Sequence, residues 1–292
     1  MDTCILKGRP PHPFETIAVL VATSASMEAV LAEAGCLASV FNARLLLIHM
    51  GKKTLKLAAH LDEIHVRSGG RLQNTTTVWL EDRHVDSLLH ICKENAVDLL
   101  ILETIRREGI LRYFLGSLVR DVCRTAKCSL LLLTEPKVVG TAFNKIIIRG
   151  VVNPKTPLTL STALYFAQQV GVGEITMVTE LDQPGLSMAT AFTGSAASTD
   201  ILKKQITNGE VRKIQDMVRH CRSEEVKVIE EIISGRQGYA IRQLTKNQNA
   251  DLLVINSPDS RYGFIDRIFT HDMEYILEDL PSNVLIVHSR IS

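Results

Sequence analysis

The chain has 292 residues, 46% of them hydrophobic and 22% charged, enough for two domains of ordinary size with a core each. Its 33 basic and 32 acidic residues leave a net charge of +1, so no global field draws in a nucleic-acid backbone or an anionic membrane. No run reaches the roughly 18 to 20 uninterrupted apolar residues of a bilayer crossing, and the polar start MDTCILKGRPPHP lacks the apolar core of a secretory signal. A cytoplasmic protein without nucleic-acid partners is the expectation.

Taken in chain order, Thr16–Val21 is a buried-strand run, and Ser24–Phe41 carries Met27, Val30, Leu31, Ala34, Leu37, Ala38 and Phe41 at helical spacing. A strand is predicted at Arg44–His49, a helix at Lys52–Arg67, a strand at Thr75–Leu80 and a helix at Val85–Asn95. Leu99–Leu102, a helix over Ile110–Ala126, and Ser129–Leu133 close the unit. Glu135–Phe143, with Pro136 and Gly140, reads as a linker. The plan then repeats, with strands at Lys145–Val151, Glu174–Val178, Lys227–Ile233, Leu252–Ile255 and Asn283–Val287. Its helices are predicted at Pro157–Val170, Thr199–Arg222, Tyr239–Asn247 and Arg261–Asp279. Leu181–Ser198, rich in Gly, Ser, Thr and Ala, has no counterpart in the first half and reads as a surface loop or a flap over a crevice.

The duplication is plainest at Leu99–Leu133 and Leu252–Val287, each a strand, loop, helix and strand, preceded by the matching lead-ins Asn95–Asp98 and Asn247–Asp251. Continuous apolar strands alternating with helices predict parallel sheets covered on both faces, with ligands beyond the carboxyl ends of the strands where strand order reverses. The domains are expected at residues 1–136 and 144–292.

Other chemistry finds little support. His60 and His65 are five apart and His84 and His90 six apart, not the i, i+4 spacing that places two imidazoles on one metal. The six cysteines lack CxxC spacing and read as reduced thiols; Cys128, beside Cys123 at a helix-to-strand junction, reads as packing. Neither a Gly-x-Ser-x-Gly elbow nor a GxxxxGK[ST] loop occurs. Lys52, Lys53 and Lys56, and Lys203, Lys204, Arg212 and Lys213, are interspersed with acids as on solvated helix faces.

In element order, length and the fourth-strand to fifth-strand signature, nearly the whole chain resembles a tandem universal stress protein. That resemblance implies two tandem five-stranded parallel-sheet α/β domains, Rossmann-like and of the adenine nucleotide alpha hydrolase type. It also implies an internal pseudo-dimer, with Leu130–Leu133 meeting Val284–Val287 across a two-fold axis. Family members carry G-x2-G-x9-G-[ST] after the fourth strand, where the loop wraps an ATP triphosphate at a helix start, the place where free N–H groups favour anions.

On those positions the first half has Glu103, Arg106, Gly116 and Ser117, and the second has Asn256, Asp259, Phe269 and Thr270. In the first half Gly116 and Ser117 match, and in the second none of the motif glycines survives. Arg106 puts a side chain where close backbone approach needs glycine, and Asp259 and Phe269 add like charge and bulk. At the first-strand exit the family's acidic residue and glycine are replaced by Ala22 and Thr23, and the second half reads Gly150-Val151-Val152-Asn153.

The expectation is therefore a stress-linked regulatory or binding protein, not a catalyst, with the usual ATP mode lost in the second half and impaired in the first. Its candidate residual ligand site is Ala22, Thr23, Arg106, Gly116 and Ser117, for ATP, another nucleotide or a small anion held by Arg106, Arg107 or Arg112. Alternatives are a sensor using that site and a weak nucleotide-hydrolysing enzyme. A protein partner or a small molecule is the expected ligand, with a homodimer as a further level of assembly, and neither a certain cofactor nor a metal is implied.

Overall fold

The computed structural model of the chain describes residues 13–67, 75–106, 113–181, 196–221, 223–258 and 271–288. In the first half β1 (Thr16–Val21), α1 (Met27–Val40), β2 (Arg44–Met50), α2 (Leu55–Arg67), β3 (Thr75–Leu80), α3 (Val85–Glu94) and β4 (Leu99–Glu103) follow in turn. A two-stranded ribbon of β5 (Ile105–Arg106) and β6 (Tyr113–Phe114) precedes α4 (Ser117–Thr125) and β7 (Ser129–Leu133). The second half runs β8 (Ile146–Gly150), α5 (Thr156–Gln169), β9 (Glu174–Leu181), α6 (Ala196–His220), β10 (Lys227–Ser234) and α7 (Tyr239–Asn247). It ends with β11 (Leu252–Asn256), α8 (His271–Glu278) and β12 (Asn283–Val287).

Apolar residues run unbroken through the central strands because both sheet faces are covered. Leu131 and Leu133 of β7 enter the core beneath α1, α2, α5 and α6, while Leu130 and Leu132 enter the core beneath α3, α4, α7 and α8. The other ten described strands form one sheet in the order β10-β9-β8-β11-β12-β7-β4-β1-β2-β3, apart from the β5–β6 ribbon. Each half is thus parallel internally, and each reverses strand order between its first and fourth strands, β1 and β4 or β8 and β11. That reversal opens a crevice at the carboxyl edge of each half.

The halves join where β12 pairs antiparallel with β7, Val284 facing Leu132, Leu285 facing Leu131 and Ile286 facing Leu130. This is the joint predicted for an internal pseudo-dimer. An aromatic cluster supports it on one face: Phe41 lies 5.5 Å from Tyr165 and 5.4 Å from Phe166, with Phe14 and Phe143 at its flanks. On the other face Arg120 of α4 donates to Glu274 of α8 at 2.9 Å. Between β7 and β8, Glu33 of α1 accepts from the Thr141 N–H and hydroxyl at 2.9 Å, anchoring the connecting segment to the first half. Burial raises the Glu33 pKa, against the lowering effect of those hydrogen bonds.

Three predicted helices begin later than periodicity suggested, among them α2, which starts at Leu55 where Lys52 was expected. Tyr113 and Phe114 are extended in the ribbon with Ile105 and Arg106, so α4 starts only at Ser117, after Gly116 in an extended N-cap conformation. α1 starts at Met27, because Ser24 and Ser26 form a turn whose hydroxyls are engaged elsewhere. Apolar spacing marks the buried face of a helix but not its first turn, where local hydrogen bonding decides. Most of the predicted loop at Leu181–Ser198 and the start of the helix predicted from Arg261 lie outside the described residues.

Candidate functional site

In the first half, Ala22 and Thr23 are exposed in the turn leaving β1, Arg106 lies in β5 beyond the end of β4, and Gly116 and Ser117 open α4. All five therefore belong to the carboxyl edge of the sheet around the β1–β4 reversal. The Gly116 carbonyl accepts the Arg120 N–H at 3.0 Å, so α4 is helical from its first residue and Ser117 is left exposed. Arg107 and Arg112 lie outside the described residues.

The described hydrogen bonds across this crevice come from Glu103. The last residue of β4, it accepts from the Ser24 hydroxyl at 3.2 Å and from the Ser26 hydroxyl. A carboxylate thus ties the β1 exit to the β4 exit and places a negative charge at the reversal. Beside it, His49 of β2 is buried, its Nδ1 3.0 Å from the Val21 carbonyl and its ring 5.3 Å from Trp79. Lys53 sits 5.7 Å from the Trp79 ring centroid.

The second half makes the equivalent tie with an amide and two hydroxyls, and a lysine holds the chain just beyond it. Asn256, ending β11, accepts from the Thr159 hydroxyl at 2.5 Å and donates to Thr156 Oγ1 at 3.0 Å, and Lys155 Nζ donates to the carbonyls of Ser257 and Pro258. Next to them lies a charge cluster that sequence inspection did not single out. Arg149, near the end of β8, donates from Nε to Glu180 at 3.0 Å and from Nη1 to Asp272 of α8 at 2.5 Å. Glu180 of β9 also accepts the N–H groups of Gly238 and Ile241 at 2.8 and 2.9 Å, so an internal carboxylate occupies the N-terminus of α7. The sign available beforehand was a charged residue inside each of two apolar strands, IIIRG and EITMVTEL, since unpaired charges are almost never buried.

A cleft of about 210 Å³ opens beside this cluster, lined by Arg149, Val152, Asn153, Thr179, Glu180 and Glu210 together with Gln237, Asn256, Ser257 and Asp272. Asp259, Phe269 and Thr270 lie outside the described residues. No cluster of three His, Cys, Asp or Glu side chains suited to a metal occurs among the described residues. No described helix is long and apolar enough to cross a membrane. Two buried thiols are packed rather than activated: burial pushes Cys123 up to about 12, and a hydrogen bond with Cys128, together with burial, raises Cys92 strongly.

Residues 50–134, from the end of β2 through β7, match the model of the universal stress protein family. This span of the first half is similar to universal stress protein domains. Solved universal stress protein structures share the whole fold. One from Archaeoglobus fulgidus DSM 4304 is 13% identical, with 94% of this chain and 98% of that one covered at a TM-score of 0.67. A functionally unknown protein from Pseudomonas aeruginosa PAO1 is 17% identical, with 94% and 92% covered at a TM-score of 0.68. The cytoplasmic domain of a prokaryotic cation chloride cotransporter is 12% identical, with 93% and 94% covered at a TM-score of 0.51. At such identities the likeness concerns the fold alone, and none of the curated proteins matches the chain.

Proposed function

We propose that this protein is a non-catalytic regulatory or binding protein of the universal stress protein type, built of domains at residues 1–136 and 144–292, in which the usual ATP mode is lost from the second half and impaired in the first. The observation that carries this reading is Glu103. Its carboxylate is fixed by Ser24 and Ser26 across the β1–β4 reversal, on the motif position where the family resemblance requires a glycine. A triphosphate entering there meets a like charge and a side chain in place of an open backbone. In the second half Asn256 stands on the first motif position, where the resemblance has a glycine, and its side chain is tied to Thr156 and Thr159.

Calorimetric titration of the full chain with Mg-ATP tests it. No saturable heat is expected at micromolar nucleotide, and a micromolar dissociation constant that Glu103→Lys leaves unchanged would overturn the reading. A second reading keeps a sensor in the first half, using Ala22, Thr23, Arg106, Gly116 and Ser117 for an adenylate, another nucleotide or a small anion. It is favoured by the exposed Ser117 at the start of α4, where backbone N–H groups are available to an anion. A thermal shift with adenylates, cyclic nucleotides or phosphate that disappears on Ser117→Pro would support it.

A further inference from the structure

The second-half cleft carries an unmet hydrogen-bonding demand. Arg149 is 5% exposed and spends Nε on Glu180 and Nη1 on Asp272, while its Nη2 is buried without a partner. A buried, charged donor left unpaired is costly, so an acceptor arriving in the adjoining cleft gains more there than at an open surface. The remaining lining restricts what that acceptor can belong to. Glu180, Glu210 and Asp272 outnumber Arg149, so a phosphate or a free carboxylate is repelled. A simple ammonium ion has no lone pair for Nη2 and would face the guanidinium instead. Asn153, Thr179, Gln237, Asn256 and Ser257 add amide and hydroxyl groups that both donate and accept.

We infer that this cleft binds a neutral polyhydroxylated molecule of about monosaccharide size, one oxygen accepting from Arg149 and neighbouring hydroxyls donating to the surrounding carboxylates and amides. Each hydroxyl supplies a donor and two acceptor positions, so one ligand answers both the orphan guanidinium nitrogen and the acidic wall. The cleft volume of about 210 Å³ accommodates a hexose or a cyclitol. This goes beyond the reading above, which concerns triphosphates.

Ligand-observed saturation-transfer NMR on the full chain tests it, with myo-inositol and D-glucose as probes and inorganic phosphate, putrescine and Mg-ATP as competitors. Transfer to at least one polyol is expected, undiminished by the competitors. Val152 lines the cleft and is 44% exposed, so Val152→Trp fills the mouth without touching the core and should abolish the transfer. Arg149→Met, with its fold checked by circular dichroism, should weaken binding about tenfold, the loss of one hydrogen bond to a charged donor. Absence of transfer to both polyols, transfer that survives Val152→Trp, or displacement by phosphate or putrescine overturns the inference. Displacement by Mg-ATP overturns it together with the ATP reading, whereas silence towards polyols and ATP alike overturns it alone.

Discussion

The two halves share strand order, helix placement and a crevice at the same reversal, yet they satisfy the groups around it in different ways. Each ties its fourth-strand exit back to its first helix, through Glu103 with Ser24 and Ser26 in one half and through Asn256 with Thr156 and Thr159 in the other. Each also provides a carboxylate for the start of the helix before the fourth strand. In the first half this is Asp82, fully exposed, which accepts the His84 N–H at 3.1 Å and the Ser87 hydroxyl at 2.9 Å beside α3. In the second half it is Glu180, buried, reaching α7 from another strand and paired with Arg149. The architecture is common to both, and the solvation of its charges is not. Where the carboxylate is exposed, water shares the work; where it is buried, every partner must be supplied by the protein.

The contrast is broken most readily at Gly238. It caps α7 with φ of +79°, and a Cβ there would collide with the Asp272 carbonyl, so Gly238→Ala should cost about 4 kcal/mol from strain and overpacking combined. His84 caps α3 with φ of −84°, and His84→Ala should leave the urea midpoint nearly unchanged. Equal losses from the two substitutions would remove the distinction between the halves.

A smaller loss is expected at the carboxylates. Glu180→Gln weakens the pairing of Arg149 and one of the acceptors for the α7 N–H groups, costing about 3 kcal/mol in urea unfolding, as for a broken buried pair. Asp82→Asn should be felt chiefly as faster hydrogen exchange in the first turn of α3, and the difference should fade in high salt.

The pH dependence sharpens the comparison most finely. The hydrogen bonds from His84 and Ser87 hold Asp82 below its ordinary 3.8, so its contribution is present above that value and lost as pH falls through the lower folded value. Burial raises Glu33 above its ordinary 4.5, so its contribution is full below 4.5 and lost as pH rises through the higher folded value. Glu33→Gln should flatten the stability profile above pH 4.5, and Asp82→Asn the profile below pH 3.8. Chemical denaturation at stepped pH measures both slopes, and a slope of the opposite sign at either residue would refute the assigned cause.

Much of this was legible beforehand. The strands at Thr16–Val21, Ser129–Leu133 and Asn283–Val287 have the bounds their apolar runs suggested, because a two-sided parallel sheet demands uninterrupted apolar residues. The Leu130–Leu133 and Val284–Val287 pairing could be anticipated from the family resemblance. Glu103 and Arg106, on positions where the family resemblance has glycines, were visible, but the serine partners of Glu103 were not, since Ser24 and Ser26 lie 79 and 77 residues away from it.

By itself the sequence determined the alternation of elements, its repetition in the second half and the residue types that stand at the strand exits. These are local matters of periodicity, backbone freedom and side-chain type. Only the tertiary structure decided that Arg149, Glu180, Gly238 and Asp272 meet beside one cleft, with one guanidinium nitrogen left over. They come from two strands and the starts of two helices, and a buried charge acquires its partners from whatever the fold brings within hydrogen-bond reach, not from its neighbours in the chain.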